Sequence, residues 1–388
     1  MRTPSVIVTD GESRAALASV RSLAAAGYRV HVVASERSNL AGASRFADSE
    51  HLLVDPGEQP EAWALGLERV ATEIGADLLL PVTEVSIGTV FATGLFERLS
   101  VVCPPRDAYE AAVDKHALLE RAVALGLDVP RSVLVDRPAD LRGLPDGFEY
   151  PVVMKPRRSR LLRDGRWISC DVRLVHDATD LAAAAGDVGM SGGVLLQTFV
   201  PGHGEAIFVA AREGNVLASF AHRRLREKPP SGGVSVLRES IAPDPKLLEG
   251  SIRLISELGF TGVAMIEFRR SPDGRAYLME INPRLWGSVQ LAIDAGVDFP
   301  AIQIALHRGE PVTPVEPRLG LRCRWMLGDL DHMLICLRRS RERRATGRGR
   351  ARVVADFLAG FFSGSHHEVL RRGDIRPFVR ELRAWLRS

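Results

Sequence analysis

Met279-Glu280-Ile281-Asn282-Pro283-Arg284, read together with Glu267, decides the fold of this chain. Val263–Phe268 alternates as a half-buried strand does, and so does Ala276–Ile281. Between them, Pro272-Asp273-Gly274-Arg275 has turn composition and the length of a four-residue hairpin loop. Such a loop pairs residue 271 with 276 and hence Glu267 with Glu280, their Cβ atoms roughly 4.5–5.5 Å apart. Asn282, two residues on, points to the same face. Facing carboxylates repel unless something positive sits between them. Three hard oxygen donors on one rigid face suit Mg²⁺, which keeps positions open for water and substrate phosphates. Pro283 ends the ladder, and Arg284 leaves the sheet beside the metal. The competing reading is a solvent-facing hairpin with two exposed glutamates. The ordered amide, strand stop and cation of Glu-x-Asn-Pro-Arg speak against it.

Working outward, the preceding strands supply cations. Pro151-Val152-Val153-Met154-Lys155-Pro156 is an apolar strand with one lysine before a proline. An ammonium there is costly unless an anion meets it, the alternative being a lysine that snorkels to the surface. Lys115, Lys155, Lys228 and Lys246 are the only lysines, against 47 arginines. A chain this rich in Arg keeps Lys either by accident or for compact point-charge work. Lys115 falls near the start of a helix expected over Ala112–Leu125, after a boundary at Pro104-Pro105 and a cap at Asp107. Arg157 to Arg166 reads as a mobile basic loop, able to cover phosphates or simply a solvated turn. Val194–Val200 runs into a Pro201-Gly202 turn, followed by Glu205 and strands at Ala206–Ala211 and Asn215–Ala221, the last ending in His222-Arg223-Arg224.

The N-terminal third alternates short strands (Ser5–Thr9, Arg29–Ala34, Leu52–Val54, Leu78–Leu80, Val101–Cys103) with helical patterns, which predicts an open parallel sheet with helices on its faces. Its first turn, Thr9-Asp10-Gly11-Glu12-Ser13-Arg14, lacks G-x-G-x-x-G, which argues against a dinucleotide site. Asp10-Gly11 and Pro81-Val82-Thr83-Glu84 lie at strand carboxyl ends and are candidates for substrate contact or plain turns.

The chain is 388 residues long with 46% hydrophobic and 26% charged residues, the balance of a soluble globular enzyme of two or three domains. No apolar run approaches the 18 or more residues of a spanning helix. Met1-Arg2-Thr3-Pro4 leads straight into a strand, so a cytoplasmic protein is the expectation. Cys103, Cys170, Cys323 and Cys336 form no metal or redox pattern and read as small buried thiols. Residues 331–388 hold fourteen Arg against six Asp or Glu, about +8, which leaves residues 1–330 near −5. The basic run Arg338–Arg352 lacks interleaved aromatics. A packed or solvated helical appendage is expected in preference to a nucleic-acid or membrane surface.

Taken in order, Asp114-Lys115, Val153-Met154-Lys155-Pro156, Gln197-Thr198-Phe199-Val200-Pro201-Gly202 with Glu205, Ile266-Glu267-Phe268 and Glu280-Ile281-Asn282-Pro283-Arg284 resemble the ATP-grasp superfamily. Within it, the likeness is to the carboxylate–amine ligases related to carbamoyl phosphate synthetase and biotin carboxylase. It covers about residues 5–320. The resemblance implies an α/β N-terminal open parallel sheet over residues 1–105 and a two-part α+β ATP-grasp unit over 106–328. A basic helical C-terminal appendage, 329–388, is left over. It further implies that Lys115 and Lys155 contact ATP phosphates, that the backbone of Gln197, Thr198, Phe199 and Val200 reads adenine, and that Glu205 binds ribose. Glu267, Glu280 and Asn282 would hold one or two Mg²⁺ ions, with Mn²⁺ as a substitute. Arg284 would stabilise the transferred phosphoryl group, and Arg223 is a looser candidate for the same site. The Arg157–Arg166 stretch departs from the family's glycine-rich phosphate loop.

The implied reaction activates a carboxylate as an acyl phosphate that an amine then attacks, so the partners are small-molecule acids and amines. No nucleic acid is expected, and a homodimer is left open. The alternatives are a bicarbonate- or hydroxyl-directed enzyme of the same superfamily, or a nucleotide-binding interaction module working through its basic tail.

Overall fold

A computed structural model describes residues 3–137, 141, 143–169, 171–186 and 192–387. Met1, Arg2 and Cys170 lie outside these residues. The N-terminal sheet is parallel throughout. Its strands β1 (Ser5–Val8), β2 (Arg29–Ala34), β3 (Ser49–Leu52) and β4 (Leu78–Leu80) lie in the order β3-β2-β1-β4. Val6, Ile7 and Val8 are all fully buried because helices cover both faces, as a parallel sheet requires. Val6 and Val8 face the helix Arg14–Ala25, and Ile7 faces the helix Pro60–Ile74. The strand expected at Val101–Cys103 shrinks to one bridge between Leu79 and Val101.

The next layer is a small antiparallel sheet. Its strands are β5 (Ser132–Val135), β6 (Val152–Pro156), β9 (Arg173–Val175) and β10 (Val194–Thr198), ordered β5-β10-β6-β9. The basic loop is in fact a hairpin, β7 (Arg160–Arg163) with β8 (Arg166–Ser169). The large sheet comprises β11 (His203–Arg212), β12 (Asn215–Lys228), β13 (Val234–Ser240), β14 (Gly262–Arg270), β15 (Ala276–Asn282), β16 (Arg322–Arg324) and β17 (His366–His367). Its order is β15-β14-β11-β12-β13-β16-β17.

Strand alternation gives this sheet two different faces. Ile207, Val209, Ile266 and Phe268 pack against the helices Arg106–Val113, Lys115–Ala124 and Pro245–Glu257. Phe208, Phe220 and Met265 join Trp286, Phe299 and the N-terminal residues Val6 and Leu17 in one continuous core. The small sheet has its own core, Val152, Met154, Val194 and Leu196 against Leu181 of the helix Ala178–Ala185.

Two expectations are corrected here. The helix expected at Ala112–Leu125 is two, because Asp114 takes an extended conformation (φ −79°, ψ 97°) and caps the second through Ala117 N–H at 3.3 Å. Asp107 is no cap; it lies in the first turn of the preceding helix. The C-terminal segment is helical as expected, yet not an appendage alone. β17 pairs in parallel with β16, and Glu368 beside it is 2% exposed with Arg238 at 2.8 Å and Arg14 at 2.5 Å. Asp374 accepts from Arg21 Nε at 2.8 Å, Ser44 Oγ at 2.8 Å and the Arg45 N–H at 2.9 Å. The tail therefore pins the N-terminal sheet to the large one. Cys323 and Cys336 are buried and Cys103 is partly so; burial pushes the Cys103 and Cys323 thiols up to about 12.

Candidate active site

The β14–β15 hairpin reaches the expected pairing by an unexpected route. Its tip pairs Arg270 with Ala276, so the loop is Ser271–Arg275, one residue longer than expected. The register then shifts between Phe268 and Glu267, and Glu267 faces Glu280 after all. Met279 is the extra residue of this bulge, and bulges re-aim side chains at such places. Its Sδ accepts from Lys155 Nζ at 3.6 Å.

Asn282 Nδ2 donates to Glu280 Oε1 at 3.2 Å, while its Oδ1 accepts from Arg284 at 3.3 Å. Arg284 Nε lies 3.7 Å from Glu84 at the start of the helix Glu84–Ala92. Asp10, by contrast, is spent on bracing that helix: it accepts from the N–H groups of Val82 and Thr83, each at 3.1 Å, and from Ser86 Oγ at 2.7 Å.

Lys115, 5% exposed, lies 3.6 Å from Glu280 and donates to Ser159 Oγ at 2.7 Å. Lys155 is buried, not snorkelling, and burial holds its ammonium below the ordinary lysine value despite the pull of Glu280. Burial alone would raise both facing carboxyls. For Glu280, Lys115 and Lys155 outweigh it and the pKa is lowered. For Glu267, burial prevails over Arg224 and the value is raised, the Glu280 charge adding to it. A dication between the two acids would relieve this asymmetry.

Two family-implied roles meet a different placement. Glu205 is opposite Phe268 and Arg223 in the ladder, so it shares their face and not that of Glu267. It binds Arg270 Nε at 2.6 Å. Arg223 is on that face too, held by Glu239 at 2.6 Å. The arginine that meets the acids is its neighbour Arg224, 2.6 Å from Glu267 and 3.1 Å from Glu227. Sequence reasoning missed it because β12 runs on to Lys228, past its expected end at Ala221.

Gln197, Thr198, Phe199 and Val200 line the same cavity as the acids. The Val200 carbonyl accepts from Arg269 Nε at 2.8 Å, and Phe199 makes no backbone–backbone hydrogen bond among the described residues. Phe199 thus offers one donor and one acceptor, the pair an adenine edge needs. The cavity is about 1260 Å³, beyond the roughly 300–1,000 Å³ of a single small-ligand site. The β7–β8 hairpin is docked on the helix Glu84–Ala92. Trp167 lies over Gly88, where a Cβ would come within 2.4 Å of the indole, and its Nε1 donates to Thr89 Oγ1 at 2.9 Å.

Among the described residues no group of three His, Cys, Asp or Glu side chains could hold a metal. Two carboxylates and an amide are nevertheless what Mg²⁺ asks for, since it takes one or two carboxylates and fills its octahedron with water and phosphate oxygens. The donor set fits that ion.

A cleft between two sheets, with facing acids, buried lysines and a hinge offering free backbone groups, defines a nucleotide-clamping protein. Residues 192–328 match the family described as "ATP-grasp in the biosynthetic pathway with Ter operon". The carbamoyl phosphate synthase large chain of Thermotoga sp. strain RQ2 is 25% identical over 306 residues, 74% of this chain and 26% of that one. A D-alanine–D-alanine ligase of Anaeromyxobacter sp. strain Fw109-5 is 27% identical over 205 residues, 49% of this chain and 63% of that one. The Campylobacter jejuni biotin carboxylase structure superposes with a TM-score of 0.65 at 18% identity, covering 83% of this chain and 74% of that one. Residues 192–328 belong to the ATP-grasp superfamily, and the chain as a whole shares that fold. It spans about a quarter of the length of the carbamoyl phosphate synthase chains it matches. No single helix among the described residues is long and apolar enough to cross a membrane.

Proposed function

We propose that the chain is an ATP- and Mg²⁺-dependent ligase that activates a carboxylate as an acyl phosphate and joins it to an amine. The observation that carries this is the Glu267–Glu280 pair, ringed by Lys115, Lys155, Arg224 and Arg284 in a cavity with room for more than a nucleotide. Glu267, Glu280 and Asn282 would hold Mg²⁺, which supplies charge neutralisation between phosphate oxygens. Lys115 and Lys155 bind the phosphates, and the Phe199 backbone orients the adenine. The γ-phosphoryl group passes to a carboxylate oxygen with ADP leaving. An amine then attacks the acyl carbon, and phosphate departs with the bond electrons. Such chemistry asks the protein for positioning and electrostatics and for no nucleophile of its own. Arg284, which donates to Asn282 Oδ1 at 3.3 Å and to the Leu285 carbonyl at 3.1 Å and lies 3.7 Å from Glu84, stands beside the acids to stabilise the transferred group.

The match to a D-alanine–D-alanine ligase supports an amine acceptor. The carbamoyl phosphate synthase match and the biotin carboxylase fold keep bicarbonate as a second reading. The test is ADP release with Mg²⁺ and a panel of acids and amines. It should need both substrates and be lost in Glu280→Gln. Full turnover by that variant ends the ligase reading, and ADP release stimulated by bicarbonate alone moves it to the second.

A further inference from the structure

The tail holds the two sheets together through β17, Glu368 and Asp374, which leaves the Arg338–Arg352 run unexplained. Its short helix Ser340–Ala345 buries none of its side chains, yet Arg339, Arg341 and Glu342 line the mouth of the ATP-grasp cavity. The helix is anchored from both sides. Arg343 donates to the Cys336 carbonyl at 3.2 Å. Glu342 accepts from the Ser231 N–H at 3.0 Å and from its Oγ at 3.2 Å, which ties the helix to the Pro229–Gly233 loop. That loop is bound in turn to the acid pair, since Arg224 donates to the Gly233 carbonyl at 3.1 Å and to Glu267 at 2.6 Å. Gly233 is needed there, because a Cβ would meet the Lys228 carbonyl oxygen at 2.3 Å.

The other cations on this wall are spent. Arg14 is held by Glu368 at 2.5 Å and stacks 3.9 Å over the Trp325 ring, and Lys228 is bound to Asp331. Arg339 and Arg341 have no ion-pair partner among the described residues, although Glu342 beside them is within reach of the same solvent. Two exposed guanidinium groups, one just before an anchored helix and one in its first turn, both lining the cavity, are suited to fork-like recognition of a carboxylate or phosphate. Lys115 and Lys155, the proposed phosphate ligands, belong to other elements, the helix Lys115–Ala124 and β6.

We propose that Arg339 and Arg341 form a second anion site, so that the acid activated here carries a further anionic group, carboxylate or phosphate, besides the carboxylate that reacts. This rests on the ATP-dependent ligase reading, whose substrate it narrows to dianionic acids.

The test is isothermal titration calorimetry at fixed ionic strength on the full chain, with and without Mg²⁺ and the non-hydrolysable analogue AMPPNP. The probes are propionate and butyrate (one anion), succinate and glutarate (two carboxylates), and 3-phosphoglycerate (carboxylate and phosphate). Wild type should bind at least one dianionic probe tenfold or more tighter than the monoanions. The preference for glutarate or for 3-phosphoglycerate tells carboxylate from phosphate. R339A/R341A should lose the preference and R339K/R341K keep most of it, both binding AMPPNP within twofold of wild type. Equal binding of mono- and dianions, no acid binding at all, or a matching loss of AMPPNP affinity in R339A/R341A would overturn the proposal. Failure of wild type to bind AMPPNP would sink the ATP reading instead, while the acid arm on nucleotide-free protein still decides this one.

Discussion

At one edge of the seven-stranded sheet, β15 sets Glu280 opposite Glu267; at the other, β17 leads into Glu368. Both edges place carboxylate beside cationic side chains, but they finish the job differently. Glu368 has two guanidinium groups within 2.8 Å and is sealed from solvent. Glu280 keeps 27% of its side chain exposed, its nearest ammonium stands at 3.6 Å, and among the described residues the neighbouring Lys155 has only a thioether to donate to. Charges that must hold a fold are closed off with their partners, whereas those that must meet a ligand are left under-satisfied. The contrast separates a structural edge from a working one within a single sheet.

The largest expected effect breaks the working edge. Glu280→Gln should lower turnover by a factor of a thousand or more, about 4 kcal/mol of transition-state stabilisation, with a melting temperature near that of wild type. If melting collapses instead, the two edges do not differ in kind. Next comes the structural edge. Glu368→Gln leaves Arg238 buried without its charge partner and should cost about 3 kcal/mol in urea unfolding. Arg238→Met with Glu368→Leu should recover part of that loss, because neither of those charges then remains buried while Arg14, 15% exposed, still loses its partner.

A smaller effect reads the tail through pH. Burial raises the Glu381 carboxyl to about 7, against the hydrogen bond from Trp325 Nε1 at 2.7 Å. Its folded-state pKa lies above the unfolded one, so its contribution is complete below about pH 4.5 and is lost as pH rises through 7. Discounted for partial exposure, that is about 2 kcal/mol, and Glu381→Gln should flatten the stability profile between pH 5 and about 7.5. The smallest effect is at Arg223, whose contact with Glu239 is on the far face. Arg223→Ala should leave kcat/KM within about twofold, while Arg224→Ala lowers it markedly.

The hairpin itself was legible because strand alternation and turn composition are local, though Glu267 meets Glu280 only because a longer loop and a bulge offset one another. The bulge at Met279 was not, since a single extra residue leaves the hydrophobic pattern of β15 almost unchanged. The face on which Arg223 and Glu205 lie was hidden for one reason. The ends of β11 and β12 bury ion pairs instead of hydrocarbon, so apolar alternation stops before the strands do and parity cannot be counted. The break at Asp114 hid inside a run of good helix formers. β17 is two residues long and pairs in parallel across several intervening helices, a non-local contact with no sequence period of its own.

The bare backbone at Gly88 leaves a notch in which the Trp167 indole rests. Any outward swing of the β7–β8 hairpin exchanges that berth for water and breaks the link to Thr89. The chain thus carries a fluorescent side chain at the joint between the β7–β8 hairpin and the helix Glu84–Ala92. A red shift in emission on mixing with nucleotide that is absent from Trp167→Phe would report the hairpin leaving that berth, the other four tryptophans serving as background.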